Sequence, residues 1–148
     1  MKKELILYVI SKALKEYGYP KVDKLQIVKI LYLMDRKALF EKHINKISDY
    51  EYLLERLGPL AWEILDDLES LKLQKLIDNA DNYYDFIIAN ENTEFMEAVK
   101  KAAKIIDLIF TKTELDEIFN IARNVSSLLN YVHSLEEVKN GEFKKKIF

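Results

Sequence analysis

The sequence has no cysteine, and it contains only three glycines and two prolines among its 148 residues. Without cysteine the chain has no disulfide framework, no thiol nucleophile and no cysteine-bound zinc. The scarcity of glycine and proline argues against a fold made of many short strands and turns. Hydrophobic residues make up 49% and charged residues 32%, which is typical of a globular domain. We therefore expect a single, mainly α-helical domain over residues 1–141.

The sequence also lacks a strong net charge, which is −2. No global basic field draws such a chain to nucleic acid or acidic lipid. The charge is uneven along the chain, because residues 1–50 have a net charge of +5, residues 51–100 of −8 and residues 101–148 of +1. Two interpretations stay open: solvated faces that neutralise one another in the fold, or an acidic middle segment that meets a basic partner.

No long apolar segment is present. The longest stretch without a charged residue is 124–135, which is too short and too polar to cross a bilayer. The first residues start basic but lead into no apolar segment followed by a small-residue cleavage site. We expect a cytoplasmic protein that does not associate with a membrane.

The most hydrophobic stretch predicts a buried central helix over about residues 23–42. Asp23 is a good N-cap, and Gln26 lies in the capping-box position three residues later. Eight of the ten residues from Leu25 to Met34 are apolar and cover nearly the whole circumference. A helix that is hydrophobic all round is buried, so we place it at the centre of the domain, after an amphipathic helix over 3–17.

The middle of the chain gives weaker signals. Ser48 and Glu51 form a capping-box pattern that predicts a short helix, which Gly58-Pro59 would end. Pro59 suits the first turn of a further helix over 59–70. Residues near 72–89 predict a small β-hairpin, and a continued helix is the alternative.

The last third predicts more helices, which gives six to eight in total. Periodicity indicates one over 93–110, and Thr113 and Ser126 are candidate N-caps of two short ones. Ser134 and Glu137 make a final capping-box pattern. We expect the basic tail, residues 142–148, to be frayed.

Catalytic and metal-binding patterns are missing. His43 and His133 lie on different elements, so the chain has no pair of histidines at helical spacing. No glycine-rich loop follows a strand, so no phosphate cradle is visible. The adjacent carboxylates Asp66 and Asp67 point apart on a helix. We expect no metal, no cofactor and no enzymatic activity.

Asp35 is the one carboxylate inside the apolar arc of the central helix. A buried carboxylate must be hydrogen-bonded or paired. It therefore has either a structural role, as an acceptor for neighbouring groups, or a role in binding.

Nucleic-acid binding is the alternative function. Residues 114–133 have the outline of a helix-turn-helix, but the second helix has no lysine or arginine between Asn124 and His133. A winged helix over residues 3–90, with the predicted hairpin as its wing, is the better version of this hypothesis. Because the net charge is low, we expect the isolated domain to bind nucleic acid weakly or not at all.

Three ordered motifs resemble one known family. The first reads Lys24-Leu25-Gln26-Ile27-Val28-Lys29-Ile30-Leu31-Tyr32-Leu33, the second is Ile47, Tyr50 and Gly58-Pro59-Leu60, and the third is Leu115-Asp116 with Ser126-Ser127-Leu128-Leu129 and His133. In this order and spacing they are similar to the Panacea antitoxin domain of SocA-like and phage-associated GepA-like proteins. The resemblance extends over residues 24–133.

The resemblance implies a helical antitoxin, or an adaptor, that binds a partner protein such as a neighbouring gene's toxin and has no catalysis of its own. It leaves the oligomeric state open. The hypothetical partner-binding residues are acidic or aromatic and lie in the segment 49–69: Tyr50, Glu51, Glu55, Trp62, Glu63, Asp66 and Asp67. The residues assigned to the family motif or to structure are Lys24, Leu25, Gln26, Lys29, Leu31, Tyr32, Asp35, Gly58, Pro59 and His133.

Overall fold

The computed structural model describes residues 1–136 and 146–148. Its helices in chain order are α1 Lys3–Lys15, α2 Lys24–Phe40, α3 Trp62–Leu73, α4 Thr93–Ile109, α5 Lys112–Ala122 and α6 Val125–Leu135. Its strands are β1 Val22–Asp23, β2 Leu53–Glu55, β3 Gly58–Leu60, β4 Ile77–Asn79 and β5 Asp85–Ile88. The mainly α-helical class is therefore confirmed, and the six helices are at the lower end of the expected number.

The strands form two small antiparallel sheets. One has the order β1-β5-β4, and the other is the hairpin β2-β3. Strands β4 and β5 confirm the hairpin predicted near 72–89, and the alternative of a continued helix is wrong because α3 ends at Leu73. The two-residue strand β1 pairs with β5, with Val22 opposite Phe86, and this pairing ties the hairpin to the start of α2.

Helix α2 is buried at the centre of the domain, as its sequence predicts. The capping box is formed: the Asp23 side chain accepts from the Leu25 amide at 2.7 Å, and Gln26 accepts from the Asp23 amide at 2.8 Å. Every residue from Gln26 to Asp35 is buried. Helices α1, α5 and α6 pack against it, and it ends at Phe40, two residues before the predicted boundary.

The helix predicted to begin at Ser48 is wrong. The Ser48 amide and hydroxyl both donate to the Asp35 carboxylate, the amide at 3.0 Å, so Ser48 does not cap a helix. The segment instead runs as a loop into β2. Pro59 lies in β3 rather than in the first turn of a helix, and α3 begins three residues later at Trp62. The local capping-box pattern at Ser48 is therefore not used, because Ser48 bonds to the Asp35 carboxylate 13 residues away.

Two further caps differ from the sequence prediction. Thr111, not Thr113, caps α5, and Glu114 completes its capping box. Asn124, not Ser126, caps α6 through the Ser127 amide at 3.0 Å. In both cases the cap lies two residues earlier than predicted, so each helix is two residues longer at its start.

The C-terminal predictions fall partly outside the described residues. Glu137 of the last capping-box pattern is among these, and so is most of the tail, 142–148. The last three residues are described, and Ile147 and Phe148 contact the rest of the domain. The Ile147 amide donates to the Tyr52 carbonyl at 3.1 Å, and the Phe148 ring stacks on Tyr32 with centroids 5.5 Å apart.

Asp35 confirms the prediction of a buried, hydrogen-bonded carboxylate. Only 1% of the residue is exposed. Its Oδ1 accepts from the amides of Ile47 at 2.8 Å and Ser48 at 3.0 Å. Its Oδ2 accepts from the hydroxyl of Ser48 and from that of Tyr52 at 3.0 Å. Asp35 therefore fixes the loop that leads from α2 to the β2-β3 hairpin.

We predict that Asp35→Ala lowers the free energy of unfolding by about 3 kcal/mol, the upper end for losing a hydrogen bond to a charged group, because several buried donors lose their acceptor. Urea denaturation measures the effect. Asp66→Ala is the matched control: Asp66 is exposed, and its loss should change stability by less than about 0.5 kcal/mol. Equal midpoints for the two variants would contradict the assigned role of Asp35.

Candidate functional site

An open pocket of about 490 Å³ lies where the start of α2, the β2-β3 hairpin and the start of α3 meet. Leu25 and Lys29 contribute from α2, and Trp62 contributes from α3. The hairpin supplies the remaining lining residues: Glu55, Arg56, Leu57, Gly58 and Leu60. The pocket thus combines apolar walls with a few charged groups, which is the usual character of a binding site.

The tight hairpin shapes one wall of this pocket. Glu55 pairs with Gly58, so only Arg56 and Leu57 form the loop, and Leu57 is left 53% exposed. Gly58 has φ +92°, a conformation that side chains rarely adopt. A Cβ there would also lie 3.7 Å from Cε and 3.8 Å from Nζ of Lys29. These are ordinary contact distances, so the requirement for glycine comes from the backbone conformation of the turn.

Lys29 forms the floor of the pocket. Only 1% of the residue is exposed, and its Nζ donates to the Pro59 carbonyl at 2.6 Å. No carboxylate of the described residues forms an ion pair with it. Burial lowers the pKa of the Lys29 ammonium from 10.5 to about 8. A buried cation with a single carbonyl partner is an unusual group to place beneath an open pocket.

Helix α3 presents an exposed stripe beside the pocket, which we call the α3 stripe: Trp62, Asp66, Glu69 and Leu73. These residues recur at helical spacing on one face, while Ile64 and Leu68 on the other face are buried. Trp62 is 55% exposed and Leu73 is 84% exposed. The stripe therefore has a large apolar side chain at each end and two carboxylates between them, of which Glu69 is only partly exposed.

The predicted partner-binding residues do not all share this surface. Tyr50 is fully buried, and its hydroxyl donates to Asp67 at 2.6 Å, so the assignment of Tyr50 as an exposed anchor is corrected. Asp67 is committed to that bond. Glu51 is exposed and lies 3.2 Å from Lys146, away from the lining of the pocket.

The other predicted residues do gather around the pocket. Glu55 and Trp62 line it, and the neighbouring carboxylates Glu63 and Asp66 are exposed. Glu63 pairs with Lys2, whereas Asp66 has no ion-pair partner among the described residues. The structure thus brings together four of the seven residues in that hypothesis.

One family model matches the chain over residues 27–137, and its description is "Antitoxin SocA-like, Panacea domain". The chain belongs to this antitoxin-like family. No curated protein matches the chain significantly, and no solved structure does. The match includes α2 from its second turn, the β2-β3 hairpin and α3, so the pocket and the α3 stripe lie almost wholly within the Panacea domain.

The residues that the sequence assigns to the family motif act mainly as tertiary contacts of α2, and the first three of them, residues 24–26, precede the matched residues 27–137. Gln26 donates to the Ala122 carbonyl at 2.8 Å, at the end of α5. The Tyr32 hydroxyl donates to Glu136. Lys24 lies over the Tyr83 ring at 4.3 Å from its centroid, and Leu31 is buried in the core. His133 is half-buried in the last turn of α6 and does not line the pocket.

Sequence reasoning missed two features of this site. Lys29 was assigned only to the motif, and the exposed Leu57 was not singled out. The signal for the first is a lysine placed among apolar residues on all sides of α2. The exposure of Leu57 had no clear signal in the sequence. Gly58-Pro59 is typical of a helix boundary, and only the observed β2-β3 pairing shows that Leu57 lies at a hairpin tip.

The described residues place no three histidine, aspartate or glutamate side chains together in a way that could hold a metal ion. Among residues 1–136 and 146–148, no helix combines the length and the apolar character that crossing a bilayer requires.

We predict that Lys29 makes stability depend on pH. The pKa of Lys29 is about 8 in the folded protein and 10.5 unperturbed, so between these values the unfolded chain binds more protons and raising the pH stabilises the fold. Relative to Lys29→Met, the unfolding free energy of the wild type should rise by about 2–3 kcal/mol from pH 7 to pH 10.5.

Urea denaturation of both proteins at several pH values measures this difference. Every other titrating group is present in both proteins, so the comparison isolates Lys29. A difference that stays constant across the range would show that the Lys29 ammonium is not desolvated in solution.

Proposed function

We propose that this protein is a non-catalytic, cytoplasmic antitoxin-like protein that binds a partner protein, the product of a neighbouring gene, and neutralises it. Membership of the SocA-like Panacea family supports the class of function. The observation that carries the choice of surface is the concentration of exposed apolar side chains around one pocket, Leu57 at the hairpin tip and Trp62 at the start of α3.

Trp62 is the natural anchor of such an interface. Tryptophan is among the residues that dominate binding energy when a partner covers them. Here the indole is more than half exposed while the rest of the helix is held by Ile64 and Leu68 in the core. Covering Trp62 and Leu57 would remove apolar surface from water without rearranging the fold.

The charge around these anchors indicates the kind of partner. Glu63, Asp66 and Glu69 of α3 provide a negative rim, and Lys72 is the only cation of that helix. Asp66 has no ion-pair partner among the described residues. A predominantly basic partner surface would supply the cation that Asp66 lacks and would be steered to this face. Neutralisation by masking then requires no chemistry from this chain.

A winged-helix DNA-binding protein is the second candidate, and one observation favours it. Helices α1, α2 and α3 are followed in the sequence by the β4-β5 hairpin. Strand β5 pairs with β1, the short strand that connects α1 to α2. This is the order that the winged-helix hypothesis requires, with β4-β5 as the wing. However, α3 would then be the helix that enters the major groove, and its carboxylates would face the phosphates.

We predict that the isolated protein does not bind duplex DNA at physiological salt, because the helix in the recognition position is acidic. Fluorescence anisotropy with a labelled 20-base-pair duplex, titrated at low and at physiological salt, measures this. Tight binding at physiological salt would favour the winged-helix function over the antitoxin-like one.

The partner surface is tested by co-expression with the neighbouring gene's product, followed by copurification and growth measurements. We predict that Trp62→Ala weakens binding about 30-fold, or about 2 kcal/mol, as expected for an interface hot spot. Glu63→Lys/Asp66→Lys should slow association, with the effect largest at low salt. Asp67 is left intact because it holds Tyr50.

Matched controls come from α4, which contributes nothing to the pocket. Leu108→Ala removes an exposed apolar side chain, and Glu97→Lys reverses an exposed charge. Both should bind and neutralise as the wild type does. Folded Trp62 and Glu63/Asp66 variants that match these controls would exclude this surface, and a neighbour that neither binds nor harms the cell would contradict the antitoxin-like function itself.

A further inference from the structure

The floor of the pocket has unused hydrogen-bonding capacity. A lysine ammonium has three N–H donors. Within the described residues, Lys29 has one hydrogen-bond acceptor, the Pro59 carbonyl, and its pKa responds to burial with no contribution from any carboxylate. A buried cation is normally paired, because the cost of desolvation is otherwise not offset. Lys29 is therefore a buried ammonium that has no anionic partner among the described residues.

Lys29 is a lining residue of the pocket, although only 1% of it is exposed. Residue 58 is a glycine, and a Cβ there would lie 3.8 Å from Nζ of Lys29, so the missing side chain leaves space beside the ammonium. The same Cβ would lie 3.4 Å from Cγ1 of Val132, so this space is bounded by the Val132 side chain. Because Lys29 lines the pocket, an anionic group bound there would lie against the Lys29 side chain.

The walls of the pocket define what can enter. Leu25, Leu57, Leu60 and Trp62 come from α2, the hairpin and α3, so apolar surface surrounds the cation. Glu55 and Arg56 are the other charged lining residues. The nearby carboxylates Glu63 and Asp66 would repel a polyanion such as a phosphate chain. A single carboxylate flanked by apolar groups fits this combination.

We propose that the pocket binds an aspartate or glutamate side chain of the partner protein, set between apolar residues, with Lys29 as the cation that pairs with it. This inference rests on the proposed function, since it names the chemistry by which the partner is recognised. It also explains how a predominantly basic partner would be bound specifically. The carboxylates of α3 would attract the partner's basic surface, and one acidic side chain of the partner, paired with Lys29, would fix the orientation of the two proteins.

The site is tested directly with two short peptides, acetyl-Leu-Glu-Leu-amide and acetyl-Leu-Gln-Leu-amide. Trp62 is the only tryptophan of the chain and lines the pocket, so its fluorescence reports occupancy. We expect a saturable change with the glutamate peptide and at least fivefold weaker binding of the glutamine peptide. Equal titrations, or no change with either peptide, would overturn the proposal without the use of any variant.

Variants then assign the effect to Lys29. Lys29→Met keeps the length of the side chain and removes the charge, and it should abolish the preference for glutamate over glutamine. Lys24→Met is the matched control, because Lys24 lies on the same helix against Tyr83 and outside the pocket lining, and it should retain the full preference. A preference that survives in Lys29→Met would overturn the assignment.

The neighbour's product separates this inference from the proposed function. If it copurifies with the wild type and equally well with Lys29→Met, the partner is bound without the acidic anchor and only the further inference fails. If the peptides bind as expected but the neighbour does not copurify, the pocket is an acidic-peptide site and the proposed antitoxin-like function fails. Loss of the neighbour in Lys29→Met, with retention in Lys24→Met, supports both.

Discussion

Most of helix α2 is enclosed by its neighbours, so its buried polar side chains cannot hydrogen-bond to water. Each of them must find a partner in an element that packs against the helix. Gln26 bonds to the end of α5, Lys29 to β3, Tyr32 to Glu136 beyond α6, and Asp35 to the loop before β2. The polar residues of this buried helix therefore set the positions of most of the elements around it.

This constraint explains the position of the candidate site. Lys29 holds the hairpin at the Pro59 carbonyl, and Asp35 holds the loop that leads into the same hairpin. With both connections in place, the hairpin lies over the start of α2 and exposes Leu57 next to Trp62. The exposed apolar surface is thus held by hydrogen bonds from buried side chains, and such preorganisation lowers the entropic cost of binding a partner.

The two buried charges of α2 differ in how completely they are satisfied. The Asp35 carboxylate accepts hydrogen bonds from two amides and two hydroxyls. Lys29 has one carbonyl. In a low-dielectric interior this difference is large, because unmet charge is costly there and a correctly placed counter-ion gains most. The unsatisfied group is also the one that faces the pocket.

The sequence by itself determined the elements whose signals are local. The apolar circumference of α2 and its Asp23–Gln26 capping box follow from residues a few positions apart, and signals of the same kind favoured the hairpin near 72–89 over a continued helix. The motif set of the Panacea family is recognised from its order along the chain. The burial and bonding of Asp35 followed too, because a carboxylate inside an apolar arc has few physical alternatives.

Only the tertiary structure decided which capping signals are used and which aromatic side chains stay in water. Ser48 has the local pattern of an N-cap, but Asp35, 13 residues away, takes its amide and hydroxyl. Tyr50 and Trp62 are both amphipathic, yet Tyr50 is buried against Asp67 and Trp62 is exposed. Such outcomes depend on hydrogen bonds and packing between segments far apart in sequence, and one-dimensional patterns do not encode these distances.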